Sequence, residues 1–486
     1  MPGNQSATVA IIGGGFGGIA AAVKLLKAGI GDFTVFERSP GPGGTWWDNR
    51  YPGCEVDIPS HAYSFSFAPR DWPRTHATQP ELRDYAESVI DQYGLRDRFR
   101  FGVGVESVTW DEAAGSYLVR TSDGEERPYR FVISAVGLLS VPRYPDWPGL
   151  DEFEGVSFHT SRWDEEADLT GKRVAIVGTG STAVQIVPAI APDAGRLQVF
   201  QREPGWVEPK GERAFTPAER ARFRRFPALR RLYRLMLFFR SGRRFKAYDL
   251  GGRDQGRMRE LCLRYIAGAI HDPVVRDAVT PSYPWGCKRP IYASGFYPAL
   301  NRDNVELVPQ AIKEVTPKGV VDARGVEHEA DVLILSTGFQ PTRFLSQFTL
   351  TGRHGTDIQD FWGDRPRAFL GATVPGFPNF FILYGPNTNG GFSIIAQLER
   401  QAEVAVRAIR KVLRTGATLV DTRPAALERH VRWLDSQLDK HASAMNSGCN
   451  NYYHSSSGAN VTQWPRTHFV YYLLCRTLPR SALIYR

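Results

Sequence analysis

The stretch TVAIIGGGFGGIAAAVKLLKAG, from Thr8 to Gly29, places a short apolar run before a glycine-rich turn and a second apolar run. Gly13, Gly15 and Gly18 have the spacing GxGxxG. This turn lets backbone amides approach a pyrophosphate at the start of a helix, where the partial positive charge of the helix favours phosphate. The stretch predicts a strand, a tight turn and a helix that closes near Gly29, as in a dinucleotide-binding α/β unit.

The residues that follow strengthen this interpretation. The run FTVFE has the character of a second strand and ends at Glu37, which lies 24 residues after Gly13. An acidic residue at the end of this strand is placed to accept hydrogen bonds from ribose hydroxyls. Together, the turn and the carboxylate predict that the N-terminal part of the chain binds a dinucleotide.

A second copy of the same pattern begins at Lys172. The run KRVAIVGTGSTAVQIVPAIA reads as strand, turn and helix, with Gly178, Gly180 and Ala183 in the positions of the three small residues. Two such turns imply two dinucleotides. If one is a flavin and the other a nicotinamide, hydride can pass between them.

The strand after the second turn, LQVFQRE, ends in Gln201, Arg202 and Glu203. An NAD site normally offers an acidic group at the strand end, whereas Arg202 is able to pair with the 2′-phosphate of NADP. Glu203 is an unfavourable neighbour for that phosphate. The alternative interpretation of Arg202 is an ordinary surface arginine.

Length and composition indicate a globular protein of two or three folding units. The chain has 486 residues, of which 42% are apolar and 23% charged, and these fractions exclude a disordered or fibrous protein. The N-terminus has no basic region before its apolar run, and no stretch has the eighteen apolar residues that a membrane span needs. The five cysteines are scattered without metal-type spacing, so we expect no metal site and a cytoplasmic location.

The positive charge is concentrated in one segment. Between Gly211 and Lys246 there are twelve basic and two acidic residues, a net charge of +10, against +9 for the whole chain. Phenylalanines and leucines are interleaved with the arginines at helical spacing. We expect a solvated helical face that covers an internal core. The alternative is an amphipathic helix lying on anionic membrane or nucleic acid.

Two long motifs occur outside the glycine turns. FEGVSFHTSRWD, from Phe153 to Asp164, matches FxGxxxHxxxW followed by Pro or Asp, and GGTWWDNRYPGCEVD runs from Gly43 to Asp57. Shorter matches are KRP at 288–290, STGF at 336–339, GPNTN at 385–389 and GANVTQWP at 458–465. In these motifs the chain resembles the Baeyer-Villiger monooxygenases, a group of class B flavoprotein monooxygenases. The resemblance covers nearly the whole chain.

The resemblance implies a catalytic pair, Arg289 with Asp57. A guanidinium is always charged and offers fixed donors, so Arg289 is suited to stabilise an anionic flavin-borne oxygen species and the oxyanion of its adduct. Asp57 would hold the orientation of the guanidinium and moderate its field. The alternative is a plain ion pair between domains.

The resemblance and the two turns together give a set of cofactor-binding candidates. FAD is assigned to the first turn and NADPH to the second, and Lys288 is expected to reach the 2′-phosphate. The candidates are Gly13, Gly15, Gly18, Glu37, Thr45, Trp46, Asp48 and Tyr63 for the first site, and Gly178, Gly180, Ser181, Thr182, Gln185, Arg202, Lys288 and Asn387 for the remaining contacts.

His159 and Trp163 belong to the linker between the two nucleotide-binding domains in the family that the chain resembles. The sequence agrees, because His159 falls between the run FVISAVG and the second glycine turn, with no other histidine or cysteine near it to complete a metal site. The alternative is a histidine that simply packs or caps a turn there.

The implied reaction inserts one atom of O2 next to a ketone carbonyl, through a C4a-peroxyflavin and a tetrahedral adduct, to give an ester or a lactone. Alternatives are an N- or S-oxygenating flavin monooxygenase, and a non-catalytic flavoprotein that uses the basic segment to bind a membrane or a partner. A disulfide reductase is disfavoured, because only Cys54 follows the first turn closely.

The expected fold is α/β, with two Rossmann-like domains for FAD and NADP and a helical insertion. The FAD domain is expected at 1–140 and 372–486, the NADP domain at 141–209 and 284–371, and the insertion at 210–283. The run FFILYGPNTNGG is expected to return to the FAD domain as a buried strand, a turn and a helix. We expect a monomer or homodimer that binds a small-molecule ketone and O2 and no nucleic acid, with peripheral membrane contact as a minor alternative.

Overall fold

The computed structural model describes residues 7–390, 393–443, 448–449, 451–477 and 479–486. The described residues form twenty strands, β1 to β20 in chain order: Ala7–Ile12, Phe33–Glu37, Phe99–Phe101, Val105–Asp111, Ser116–Thr121, Glu126–Ser134, Val156–His159, Arg173–Val177, Arg196–Phe200, Val207–Glu208, Ile291–Tyr292, Val305–Val308, Ile312–Thr316, Gly319–Asp322, Glu327–Glu329, Val332–Leu335, Thr349–Thr351, Phe380–Ile382, Val420–Thr422 and Leu483–Tyr485.

The same residues form fourteen α-helices, α1 to α14 in chain order: Phe16–Lys27, Thr45–Asp48, Gln79–Gln92, Ala183–Ile190, Pro217–Arg225, Pro227–Arg244, Arg253–Ala269, Pro273–Ala278, Phe296–Ala299, Ile358–Trp362, Ile394–Thr415, Pro424–Leu438, His468–Thr477 and Pro479–Ala482. Helices and strands alternate through both glycine-turn regions. This alternation is the α/β class predicted from the sequence.

The first sheet is built around β1. Its order is β17-β4-β5-β6-β1-β2-β3, and β18 also pairs with β6. Strand β1 is parallel to both of its neighbours, with Val9 opposite Phe33 on β2 and Phe131 on β6. Because both faces of a central parallel strand are covered, β1 is almost entirely apolar. Helix α1 makes the crossover to β2 and packs against α11.

The second sheet repeats this plan with five parallel strands in the order β12-β9-β8-β16-β7. Strand β8 leads through the second glycine turn into α4 and then into β9, as predicted. The edge strand β7 ends at His159, which pairs with Leu335 on β16. The histidine of the FxGxxxHxxxW motif therefore lies at the carboxyl end of a strand of the second sheet.

Two segments of chain cross between the sheets side by side. Residues 141–143 and 338–340 are joined by backbone hydrogen bonds from Arg143 N–H to the carbonyl of Gly338, at 2.9 Å, and from Gln340 N–H to the carbonyl of Val141, at 2.9 Å. The Thr337 hydroxyl donates to the carbonyl of Arg143 at 2.6 Å. We call this pair of segments the crossing.

The chain rejoins the first sheet earlier than the sequence indicated. We expected the return at residue 372, but β17 already pairs with β4, with Leu350 opposite Val108. A strand of three residues carries too short a pattern to be distinguished from a loop. The expected later return is also present, since β18 pairs with β6 and α11 follows it.

The insertion is helical, and α5 to α8 fill most of it. Its first helix, α5, begins with a capping box in which the hydroxyl of Thr216 accepts from Glu219 N–H and the Glu219 carboxylate accepts from Thr216 N–H. Helix α7 contributes Ile266 to the core of the second sheet. Residues of α5 and α6 pack instead on the core of the first sheet, through Phe223 and Tyr233. The insertion therefore packs against the cores of both sheets.

The scattered cysteines are not all independent. Cys287 and Cys449 form a disulfide across a sequence separation of 162 residues, with their Cα atoms 6.2 Å apart. Cys54, Cys262 and Cys475 are free and buried. The disulfide fastens the segment just before Lys288 to the C-terminal part of the chain, a link that the spacing of the cysteines did not indicate.

Candidate active site

A cleft of about 340 Å³ opens at the N-terminus of α1. It is lined by all but one of the candidates assigned to the first site, namely Gly13, Gly15, Glu37, Thr45, Trp46, Asp48 and Tyr63. Gly18 lies inside the turn, where a Cβ would meet the carbonyl oxygen of Gly13 at 1.9 Å. We call this the first cleft.

The glycines of the first turn are needed for close backbone packing. Gly13 has φ of 104°, and a Cβ there would lie 2.6 Å from the carbonyl oxygen of Ala135. A Cβ on Gly15 would make only ordinary van der Waals contacts, the nearest with Gly44 Cα at 3.4 Å, because Gly15 faces the cleft. The turn is therefore tight on its protein side and open where a pyrophosphate would approach, so its residues fit a dinucleotide.

The Glu37 carboxylate is fixed at the end of β2 by backbone amides. Gly14 N–H donates to Oε2 at 2.7 Å and Ser39 N–H donates to Oε1 at 2.8 Å. Burial raises the pKa of Glu37, and this effect outweighs the two hydrogen bonds, which lower it. A carboxylate has about four acceptor positions, so two remain for ribose hydroxyls.

One wall of the first cleft is aromatic. The indole N–H of Trp46 donates to the hydroxyl of Tyr63 at 3.1 Å, and the two rings meet edge to face at 5.7 Å. Asp48 is held from behind, because its Oδ1 accepts from the Ser39 hydroxyl at 3.0 Å. A flat, apolar wall with polar groups at its edge suits a planar ring system.

A second cleft, of about 460 Å³, lies at the turn between β8 and α4. Gly178, Gly180, Ser181, Arg202, Lys288 and Arg289 all line it. Gly178 has φ of 110°, and a Cβ there would lie 2.5 Å from the carbonyl oxygen of Ser336. A Cβ on Gly180 would meet no atom within 4 Å. The second turn is thus also packed on one side and open on the other.

The cations of the second cleft differ in their pairing. Lys288 Nζ forms an ion pair with the Glu203 carboxylate, and both side chains are about a quarter exposed. Arg202 is exposed and makes no hydrogen bond or ion pair within the described part of the chain. Glu203, the unfavourable neighbour noted in the sequence, therefore pairs with Lys288, and Arg202 remains available to bind an anion.

Three cofactor candidates, Thr182, Gln185 and Asn387, do not line either cleft. Gln185 Oε1 accepts from the Tyr51 hydroxyl at 3.1 Å, and its Nε2 donates to the carbonyl of Glu55 at 3.0 Å. Thr182 sits at the start of α4. Asn387 Nδ2 donates to the carbonyl of Asn460 at 2.8 Å. These side chains join parts of the protein to one another, which a motif position does not reveal.

Arg289 and Asp57 come together although 232 residues separate them. Arg289 Nη2 donates to Asp57 Oδ2 at 2.8 Å, and the side chains are 33% and 24% exposed. Burial alone would raise the pKa of Asp57, but the charge and hydrogen bond of Arg289 lower it below its usual value. The charge of Asp57 in turn raises the pKa of Arg289. Both groups are therefore ionised at neutral pH.

The pair sits between the two clefts. Arg289 lines the second cleft beside Tyr452. Its partner Asp57 ends the motif that also carries Thr45, Trp46 and Asp48 of the first cleft. The ion pair therefore links this motif to the wall of the second cleft.

A second ion pair lies next to Asp57. Lys210 Nζ is 2.6 Å from Glu55 Oε1, and the lysine side chain is almost fully buried. After burial and Arg289, the charge of Lys210 also lowers the pKa of Asp57. Sequence reasoning missed Lys210, because it lies more than 150 residues from Asp57 and outside every motif.

His159 is buried beside the crossing. Its Nε2 donates to the carbonyl of Gly338 at 3.0 Å, and its Nδ1 accepts from Ser161 N–H at 3.1 Å. Its ring contacts Tyr144 at 5.3 Å and Phe339 at 5.9 Å, one from each side of the crossing. Trp163 packs edge to face on Phe158 at 4.9 Å. The motif at residues 153–164 thus packs where the parts of the chain that carry the two sheets join.

Comparison with known proteins gives the family. Residues 10–229 match the family model for pyridine nucleotide-disulphide oxidoreductases. A curated relative from Streptomyces coelicolor, named Baeyer-Villiger monooxygenase, is 41% identical over 467 residues and covers 96% of this chain and 90% of its own. This chain belongs to the Baeyer-Villiger monooxygenases. A relative of the same name from Pseudomonas aeruginosa is 38% identical over 477 residues, covering 98% of this chain and 90% of its own.

Solved structures share the fold of this Baeyer-Villiger monooxygenase along its whole length. An oxidized steroid monooxygenase bound to NADP has a TM-score of 0.89 at 30% identity, covering 98% of this chain and 99% of its own. A closed form of cyclohexanone monooxygenase has a TM-score of 0.86 at 31% identity, covering 99% of each chain. The prediction of two dinucleotide-binding domains in an α/β fold is confirmed.

The chemistry of Cys54 separates this Baeyer-Villiger monooxygenase from the disulfide reductases. Cys54 is free, buried and the only cysteine before Cys262. Burial raises the pKa of its thiol to about 12, so it is not a reactive thiolate at neutral pH. No group of three or more potential metal-binding side chains occurs among the described residues, and the absence of a metal site stays a prediction.

Two residues of the FxGxxxHxxxW motif line the first cleft, although the sequence analysis did not assign them there. Ser161 and Arg162 follow His159 at the end of β7 and face the cleft beside Phe339. Their position inside the motif HTSRW was the available signal. Tyr452 and Tyr453, which line the second cleft, carried no such signal.

Proposed function

We propose that this protein uses FAD and NADPH to insert one atom of O2 next to the carbonyl of a small-molecule ketone, giving an ester or a lactone. The observation that supports this most strongly is the 2.8 Å ion pair of Arg289 and Asp57 between the two clefts. A permanent cation with fixed donors is suited to an oxygen that attacks as an anion and to the oxyanion that results.

FAD fits the first cleft and NADPH the second. Glu37 would accept from the ribose of FAD, and the first turn would receive its pyrophosphate. Trp46 and Tyr63 would contact the ring system, while Thr45 and Asp48 would line its edge. Bound flavin would supply the chemistry of accepting hydride and activating O2. The second turn, with Gly178, Gly180 and Ser181, would hold the pyrophosphate of NADPH. Arg202 and Lys288 would face its 2′-phosphate.

Arg289 would act by charge and by hydrogen bonding, not by proton transfer. Its pKa is raised by Asp57, so it stays protonated throughout the working pH range. Asp57 engages one side of the guanidinium through Nη2, and the other donors remain for an oxygen of the reacting species. Asp57 thereby restricts the orientation of the donors, which limits where the substrate carbonyl would lie.

The decisive experiment compares wild-type holoenzyme with Arg289→Ala, using a cyclic ketone and a thioether as separate substrates. We expect the variant to consume NADPH and reduce its flavin, while ester formation falls by about a hundredfold or more. Product must be scored directly, because uncoupled release of peroxide also consumes NADPH. Arg222→Ala, an exposed arginine on α5, serves as the matched control and should keep normal ester yield.

Three results would contradict the proposal. Normal ester yield in Arg289→Ala would remove the assigned role of the guanidinium. Sulfoxide without any ester in the wild type would favour an N- or S-oxygenating enzyme. Absence of substrate-dependent NADPH consumption with flavin bound would favour a non-catalytic flavoprotein.

The same proposal extends to the arrangement of the molecule. The FAD unit would comprise residues up to about 140 and the part of the chain that starts with β17, and the NADP unit would comprise most of the rest, with residues 210–283 inserted. His159 and Trp163 would control how the two units meet. Gln185, Thr182 and Asn387 would act on the cofactors only indirectly. We further propose a cytoplasmic location, which the three free thiols support and the Cys287–Cys449 disulfide does not. A monomer or homodimer is proposed as the assembly.

A further inference from the structure

Helix α6 exposes a row of large apolar side chains. Leu232, Leu235, Met236 and Phe239 follow one another at the spacing of a single helix face, and Leu232 and Phe239 are 61% and 59% exposed. Three arginines, Arg231, Arg240 and Arg243, are exposed on the same side of the helix. We call these seven residues the outer face of α6.

The opposite face of α6 already covers the core of the protein. Leu237 is buried, and Tyr233 packs on His61 at 5.5 Å and on Phe223 at 5.3 Å. Arg234 Nη1 donates to the carbonyl of Ser64 at 2.7 Å. The sequence pattern predicted one apolar face turned to the core. The structure shows that this helix carries a second apolar face, which is turned to solvent.

The exposed apolar surface continues beyond α6. Phe226 and Leu229 at the start of the helix are exposed. Helix α13 contacts α6 through the rings of His468 and Phe238, 6.2 Å apart, and α13 exposes Phe469 and Leu473. Solvated surfaces of single proteins rarely carry so many large apolar side chains close together.

The positive charge of this region is largely uncompensated. Arg220 and Arg224 share the carboxylate of Asp71, and Arg213 pairs with Glu219. Within the part of the chain that the structure describes, no ion pair forms at the remaining exposed arginines of α5 and α6, which are Arg222, Arg225, Arg231, Arg240 and Arg243. The apolar row is therefore flanked by free cations.

We propose that the outer face of α6 docks onto an anionic lipid membrane surface. Apolar side chains would enter the boundary between headgroups and acyl chains, and the flanking arginines would contact the lipid phosphates. No helix among the described residues is long and apolar enough to cross a membrane, so the contact is peripheral.

Charge and chemistry favour lipid over the other possible occupants. A second copy of this chain would bring a segment of net charge +10 against its equal, which like-charge repulsion opposes. Nucleic acid would pair with the arginines, but three of the four apolar side chains of the outer face are leucine or methionine, which offer it neither stacking surfaces nor hydrogen bonds. A lipid surface satisfies both the apolar row and the cations.

Vesicle flotation of the FAD-loaded protein tests the proposal. One set of vesicles contains phosphatidylcholine alone and the other contains phosphatidylcholine with phosphatidylglycerol. We expect flotation with the anionic vesicles, and a loss on the order of a hundredfold in partitioning for Leu232→Gln/Met236→Gln/Phe239→Gln. Arg231→Gln/Arg240→Gln/Arg243→Gln should lose a similar factor, and its residual binding should depend less steeply on salt, since Arg222 and Arg225 remain.

The matched control is Leu118→Gln/Arg120→Gln, which changes an exposed leucine and an exposed arginine on β5 of the first sheet. It should float like the wild type. All variants are first checked for flavin content and visible circular dichroism, so that a folding defect is recognised.

The proposal is overturned if the wild-type protein does not float with anionic vesicles, and this result needs no variant. It is also overturned if the apolar triple variant floats normally. If the wild-type protein binds duplex DNA but no anionic vesicles, nucleic acid is the occupant. If the wild type forms a dimer that the apolar triple variant dissociates, again without vesicle binding, the occupant is a second copy.

Discussion

At the scale of single residues, Asp57 determines the charge environment of Arg289. The carboxylate is the only acidic group that the guanidinium contacts within the described part of the chain, and it moderates a cation that is partly withdrawn from water. Removing the carboxylate leaves that cation without its partner, which costs more than the pair itself contributes.

We predict that Asp57→Asn lowers the free energy of unfolding by about 1 to 2 kcal/mol at neutral pH. Because the pKa of Asp57 is lowered in the folded protein, this contribution is present above the ordinary aspartate pKa of about 4 and is lost as the pH falls through the lower folded value. Urea unfolding of wild type and variant at several pH values measures the difference. It should be largest at neutral pH and shrink in acid, whereas the exposed Asp151→Asn should change little.

Glu203 gives a second prediction at this scale. Its carboxylate forms an ion pair with Lys288 and would lie near the 2′-phosphate of NADPH. Glu203→Gln removes a like charge and releases the lysine, so we expect the KM for NADPH to fall roughly fivefold while that for NADH changes little. Steady-state kinetics with both nucleotides measures this, and Glu314→Gln on β13 is the control. A rise in the KM for NADPH would instead mean that Glu203 positions Lys288 for the phosphate.

At the scale of elements, the sequence was most informative where structure is local. The glycine turn, the strand before it and the helix after it were predictable from the sequence. The spacing of apolar residues and the need for glycine where the backbone approaches a pyrophosphate are both visible within about 20 residues. Gln185 shows the limit of this reasoning. Its helix was predicted, but its contact with Tyr51 depends on how α4 packs against the segment after α2.

Contacts between distant segments required either the family resemblance or the structure. The pairing of Asp57 with Arg289 was expected only because both residues match family motifs. Cys287 and Cys449, with no such motif and 162 residues between them, carried no signal at all. Strand β17 was missed because three residues are too few for a strand period to be recognised.

The disulfide fastens the segment before Lys288 to the segment that carries Tyr452 and Tyr453, and both segments line the second cleft. Since it closes a long loop, we predict that Cys449→Ser lowers the free energy of unfolding by about 2 to 4 kcal/mol. Reduction of the wild type with dithiothreitol should cause the same loss, and the variant should not respond to the reductant. Equal stability of reduced and oxidised wild type would show that the bond does not form or does not stabilise the fold.

At the scale of the whole molecule, two sheets and two clefts meet at one junction. The crossing joins the units through paired backbone, and His159 packs against both of its segments. Arg289 from the second unit reaches Asp57 of the first. A change in the angle between the units would therefore move Arg289 relative to Asp57 and to the first cleft.

Buried histidines give the molecule a predictable sensitivity to acid. His61, His76, His430, His441 and His468 are all buried, and burial lowers the pKa of each to about 4. The unfolded chain binds these protons near pH 6.5, whereas the folded protein does not. Stability is therefore unaffected above pH 6.5 and falls as the pH drops from about 6.5 towards 4.

Each histidine should contribute a slope of up to about 1.4 kcal/mol per pH unit to the free energy of unfolding in that window. His430 lies among the rings of Phe369 and Trp433, so His430→Leu keeps an apolar side chain there and removes one titrating group. Urea unfolding at several pH values between 4 and 7 gives the slope of the unfolding free energy against pH. In the variant this slope should correspond to the uptake of about one proton fewer on unfolding. A variant that keeps the full wild-type slope would mean that His430 is already protonated, and therefore hydrated, in the folded protein.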